Sequence, residues 1–158
     1  MKGCSRIAAL LVFLTATSGW AQFRGFQAAT VLPPAPLELK AGETVEASIF
    51  VRIRRGYHIN SDKPAEEYLI PTRLTWDVAP LEALAVTYPE AEIFVSQFSD
   101  DVMLVFSGEV EFKTSVRVPK TIPEGLTELA GTLRYQACTE KACLAPTSVD
   151  FTLPVRSK

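Results

Sequence analysis

From Val45 onward the chain alternates. Val45, Ala47, Ile49, Val51 and Ile53 fall on one side of an extended segment, and Glu46, Ser48, Arg52 and Arg54 on the other. A period of two marks a half-buried strand, because successive side chains of an extended chain point to opposite faces. Phe50 is the one apolar residue on the polar side. The alternation returns in Val110, Phe112, Thr114, Val116 and Val118, in Leu129, Gly131, Leu133 and Tyr135, and in Val149, Phe151, Leu153 and Val155. Strands are therefore expected near 45–54, 109–118, 128–136 and 148–155. Shorter ones are expected at 72–76 and 103–106, with 77–90 weakly patterned between Pro80 and Pro89. Turn signals at Ala41-Gly42-Glu43, Ser107-Gly108 and Pro123-Glu124-Gly125 separate the runs. No helical period stands out, and one wet face per strand fits antiparallel pairing. The pattern predicts an all-β antiparallel sandwich.

The first 21 residues stand apart. Lys2 and Arg6 precede an apolar run, Ile7 to Leu14, and small residues follow at Gly19 and Ala21. This is the pattern of a secretory signal peptide over residues 1–21, cleaved after Ala21, and the run is short for a membrane span. Cys4 precedes the apolar run and is expected to leave with it. No second apolar run reaches membrane length, so no transmembrane segment is expected after cleavage. Residues 22–37 contain Pro33-Pro34-Ala35-Pro36 and read as an extended, poorly paired lead-in. Residues 38–158 read as one domain.

Composition adds exclusions. At 47% hydrophobic and 22% charged, the chain has an ordinary globular balance. The net charge of −2 becomes two units more negative without the signal, and no basic block offers a nucleic-acid footprint.

Cleavage leaves two cysteines, Cys138 and Cys143, in an exported chain, where a disulfide can form and persist. Strand pattern ends near Ala137 and resumes near Thr147, so the pair flanks a loop between neighbouring strands. A bridge closing so short a loop constrains the unfolded chain by roughly 2 kcal/mol, against roughly 4 kcal/mol for one closing a loop tenfold longer. As a staple it sits where it helps least. As a reactive pair it is well sited, with Lys141 favouring a thiolate and Glu140 opposing it. Both a redox-active and a structural bridge remain open on these residues. Two Cys and one His fall short of a four-ligand zinc site. Copper(I) accepts Cys and Met, and Met103 is the sole methionine left after cleavage, so copper(I) stays a lesser alternative. His58 lacks the motif of a hydrolytic triad and reads as a strand-end polar residue. Trp76 and Phe112 read as core, and Asp100-Asp101 as a solvated loop.

The run Leu133-Arg134-Tyr135-Gln136-Ala137-Cys138, a polar spacer, then Cys143-Leu144-Ala145-Pro146 resembles the N-terminal periplasmic domain of the thiol:disulfide interchange protein DsbD. Gly56-Tyr57-His58-Ile59-Asn60 and Phe106-Ser107-Gly108-Glu109-Val110 resemble further segments of that family. The similarity covers roughly residues 38–156. It implies an immunoglobulin-like sandwich in the periplasm, with no small-molecule cofactor. It also implies a membrane-embedded thiol-reductant transporter as donor and periplasmic thioredoxin-like proteins as acceptors. By the same resemblance Cys143 attacks partner disulfides and Cys138 resolves the mixed disulfide. An aromatic cap shields the pair in the family; Phe98 is the better match and Phe94 the other candidate. Tyr57 and His58 fall where the family has aromatic residues near the site, and Tyr135 and Lys141 are further candidates to line it. The four-residue spacer is shorter than in the full-length protein. That protein's membrane and thioredoxin domains have no counterpart here, so a separate membrane donor is expected. The competing expectation is a non-catalytic binding module with a structural disulfide, associated with a membrane or metal-handling protein.

Overall fold

The computed structural model describes residues 26–96 and 102–157. The expected signal peptide, Phe98 and Asp100-Asp101 lie outside the described residues. The strands are β1 (Ala29–Val31), β2 (Leu37–Leu39), β3 (Thr44–Ile53), β4 (His58–Asn60), β5 (Arg73–Asp77) and β6 (Glu82–Thr87). They continue as β7 (Glu92–Val95), β8 (Val102–Phe106), β9 (Glu109–Arg117), β10 (Glu128–Tyr135), β11 (Ala137–Cys138) and β12 (Thr147–Ser157). No helix occurs among the described residues, and so none that is long and apolar enough to cross a membrane.

Two sheets, in the orders β1-β3-β9-β6 and β2-β12-β10-β5, form the layers of an immunoglobulin-like sandwich. A third, β11-β4-β8-β7, carries Cys138, with Cys143 bridged to its edge. Every pairing is antiparallel except β2 with β12. The alternating residues meet as the pattern requires. Ile49 lies opposite Phe112 and Val45 opposite Val116 in the β3–β9 ladder, while Leu129 lies opposite Leu153 in β10–β12. Ile49, Phe112, Val116, Leu129, Leu133 and Leu153 are buried in one apolar cluster. Each such side chain stabilises the fold by about 1.5–3 kcal/mol through burial. Phe50 is exposed, as its place on the polar side of β3 requires.

An inward hydroxyl and an indole pair with each other inside the sandwich. Thr114 takes an inward position on β9, where its Oγ1 accepts the Trp76 indole N–H at 3.0 Å. Trp76 is half-buried against the core and packs edge-on to Phe151, 5.3 Å between ring centres. Gly131 lies opposite both aromatics in the ladders, and a Cβ there would stand 2.4 Å from Phe151 Cζ. The glycine thus makes room for a ring.

The lead-in differs from its expectation. Ala29–Val31 is not poorly paired: it forms a ladder with Val51–Ile53, and Ala28 and Ala29 are buried. The Tyr135 hydroxyl accepts the Ala29 N–H at 3.1 Å. The proline run follows this strand rather than governing it, because Pro33 and Pro34 lie beyond the last ladder residue.

The small sheet is anchored by apolar residues. Ile59 and Phe106, opposite each other in β4–β8, are both buried. Phe106 packs 5.7 Å from Phe112, and Tyr88 packs against both rings. A rigid floor therefore lies beneath the cysteine strand.

Candidate redox site

The cysteines face each other across a tight reversal. Ala137 C=O accepts the Leu144 N–H at 2.8 Å, and Thr139 N–H donates to Ala142 C=O at 2.9 Å. Between these bonds Cys138 and Cys143 form an isolated antiparallel bridge. Their Cα atoms are 3.9 Å apart and their sulfurs are joined as a disulfide. Thr139 shapes the turn: its Oγ1 accepts the N–H groups of Lys141 and Ala142, each at 3.3 Å. A hydroxyl that satisfies turn amides in this way is a common reason for Thr at such a position.

The two sulfurs have unequal surroundings. Cys138 is fully buried, because β11 pairs with β4 on the apolar floor. Cys143, on the outer arm, is exposed. Only one residue of the pair therefore presents itself to a partner.

His58 lies directly opposite Cys138 in the β4–β11 ladder. It is buried, its Nε2 has no hydrogen-bond partner, and burial lowers its pKa below the ordinary 6.5. The half-buried Phe94 ring covers the imidazole at 4.2 Å between centres. One residue past β7, Ser96 Oγ donates to the Glu140 carbonyl at 3.0 Å and ties that strand to the cysteine turn. Together Tyr57, His58, Phe94, Glu92 and Glu140 line a cleft of about 240 Å³.

Of the other expected site residues, Tyr57 joins the cleft and Tyr135 and Lys141 do not line it. Tyr57 is half-buried, lines the same cleft and packs 5.3 Å from Phe26. Tyr135 is a core residue whose hydroxyl holds β1. Lys141 sits at the exposed tip of the turn. No cluster of three or more potential metal-ligating side chains occurs among the described residues.

Two polar side chains escaped the sequence reading. Gln136 Oε1 accepts from Asn60 Nδ2 at 3.2 Å and from the Ile70 N–H at 3.1 Å, while its Nε2 donates to Leu144 C=O at 3.2 Å. Asn60 is fully buried, and its Nδ2 also donates to Ile70 C=O. An amide can donate and accept at once, so Gln136 braces the outer arm of the hairpin against β4. The available signal was its place in the Tyr135-Gln136-Ala137 run, a polar residue between two buried ones.

An immunoglobulin-like sandwich with a local disulfide, one cysteine covered and one open, defines a class of domain suited to thiol chemistry. The family model of the N-terminal domain of the thiol:disulfide interchange protein DsbD matches residues 28–154, and the chain belongs to that family. It is a thiol:disulfide exchange domain with a cysteine pair. The match takes in β1, which the expected boundary at residue 38 left out. Among solved structures, the N-terminal periplasmic domain of ScsB from Proteus mirabilis shares the fold, with a TM-score of 0.54 at 16% identity. The alignment covers 79% of this chain and 44% of that one, so the chain spans under half the length of that relative. The N-terminal domain of DsbD from Neisseria meningitidis, in its reduced form, aligns with a TM-score of 0.45 at 19% identity, over 72% of this chain and 80% of that one. No curated protein matches the chain.

Proposed function

We propose that the domain is a periplasmic dithiol/disulfide carrier. It takes reducing equivalents from a membrane-embedded thiol-reductant transporter and passes them to thioredoxin-like proteins. The observation that carries this reading is the asymmetry of the pair, an exposed Cys143 beside a buried Cys138. In the reduced domain the Cys143 thiolate attacks a partner disulfide. A mixed disulfide forms and the partner's second sulfur leaves. Cys138 then attacks Cys143 and frees the partner as a dithiol. Phe94, lying over the His58 side of the pair, serves as a shield against small thiols.

Trapping tests the proposal. Cys138→Ser removes the resolving thiol and is expected to leave Cys143 covalently joined to a thioredoxin-like partner. Cys143→Ser is expected to trap far less. A structural bridge predicts another outcome: equal destabilisation by either change, and no adduct. That outcome would replace the carrier with the binding module.

A further inference from the structure

The carrier reading, on which this inference rests, gives Cys138 a difficult task. Burial disfavours a thiolate, so a thiol in an apolar site holds its proton more tightly than in water. Yet Cys138 must attack as a thiolate when it resolves a mixed disulfide, and leave as one when the pair is reduced. Cys138 is fully covered, so its proton needs an acceptor inside the fold.

His58 is placed for that task. Residues directly opposite in an antiparallel ladder project their side chains from the same face, and His58 is opposite Cys138. Its buried Nε2 lacks a partner. Buried polar atoms are nearly always satisfied, so this exception requires a reason. A disulfide sulfur is a weak acceptor and donates nothing, whereas the reduced Cys138 offers an S–H. Burial keeps the imidazole neutral and able to accept a proton near pH 7. Phe94 covers the ring and limits access of water to it. Among the described residues, the other titratable groups facing this cleft are Tyr57 from its own segment, Glu92 from β7 and Glu140 from the cysteine turn. Glu92 is engaged, accepting the Ser107 hydroxyl at 2.6 Å.

We infer that His58 relays the proton of Cys138 during exchange. In resolution, Cys138 Sγ gives its proton to His58 Nε2 and attacks Cys143 Sγ. The Cys138–Cys143 bond forms and the bond from Cys143 to the partner breaks. The electron pair leaves on the partner sulfur as a thiolate, and the imidazolium gives up its proton to solvent. In the reverse direction a thiolate of a donor dithiol attacks Cys143 Sγ. The bond between the pair breaks, and the departing Cys138 sulfur takes a proton that His58 relays from solvent. The donor's second thiol then displaces Cys143, and the donor is left oxidised.

The experiment uses the reduced protein and one equivalent of 5,5′-dithiobis(2-nitrobenzoate), which needs no natural partner. The first thionitrobenzoate released reports attack by Cys143, and the second reports resolution by Cys138. In His58→Phe, which keeps an aromatic ring against Phe94, the second phase is expected to slow relative to the first by at least about tenfold at pH 7. In the wild type its rate also bends downward as pH falls below the imidazole pKa, a bend expected to vanish in the variant. His58→Gln is measured in parallel and decides the matter where the phenylalanine variant does not fold. An unchanged phase ratio and pH profile in a folded variant overturns the inference, as does a wild type with no second phase. Two phases that depend on His58, with no partner trapped by Cys138→Ser, would instead sink the carrier reading alone.

Discussion

Gln136 holds three groups with one side chain, and its loss exposes what the hairpin needs. Gln136→Leu leaves the Ile70 N–H without its acceptor and frees Leu144 C=O. A buried donor left unpaired costs about 1–3 kcal/mol, and this one is part-buried, so the lower end applies. Urea unfolding is expected to show a loss of that size, with the arm bearing Cys143 exchanging its amide hydrogens faster. His58 carries a pH signature. Its folded pKa lies below the ordinary 6.5, so the unfolded chain binds more protons as the solution is acidified. Its contribution to stability is fully present above 6.5 and is lost as pH falls toward the folded value. Unfolding midpoints measured from pH 7.5 to 5 are expected to decline, and to decline less in His58→Phe. For Phe94→Ala the expected result is faster reduction of the disulfide by dithiothreitol in a protein that stays folded, because Phe94 is only half-buried. An unchanged rate would move the shielding role to Phe98.

At the scale of elements, β10 is sensitive to a small change at Gly131. Alternation marks Gly131 as an inward position, yet it carries no side chain because the Phe151 ring occupies that space. Gly131→Ala is expected to destabilise the domain by about 1–3 kcal/mol, since the half-buried Phe151 ring must move to admit a methyl group. Calorimetry on the single variant and on a Gly131→Ala, Phe151→Leu double variant checks this, with part of the loss recovered in the double. The β11–β4–β8 ladder has a different job. It is short, and two of its own residues, Ile59 and Phe106, anchor it by burying their side chains.

For the molecule as a whole, the first layer is incomplete without β1. A chain starting at residue 38 loses the β1–β3 ladder, the buried Ala29 and the hydrogen bond to the Tyr135 hydroxyl. Hydrogen bonds contribute about 0.5–1.5 kcal/mol each, so the shortened domain is expected to be less stable by at least about 2 kcal/mol than one starting at residue 26. Denaturant midpoints compare the two. Ion pairs on the outer faces, such as Arg52 with Glu109 and Arg117 with Glu82, are exposed and add little.

The long strands were legible because a half-buried strand writes its period into adjacent residues, as Val45 to Ile53 do. The nearness of Cys138 and Cys143 was legible for the same reason: five residues of separation around a turn is local information. Tertiary structure alone decided which cysteine is covered, because that depends on β4 arriving alongside β11. It also set His58 opposite Cys138, joined Asn60 to Gln136 across 76 positions, and linked Ala29 to Tyr135 across 106. A lone histidine, a glutamine and a short apolar segment carry no period. Their roles arise only when chain closure brings distant segments into register, and a buried polar atom acquires its meaning from whatever the fold sets beside it.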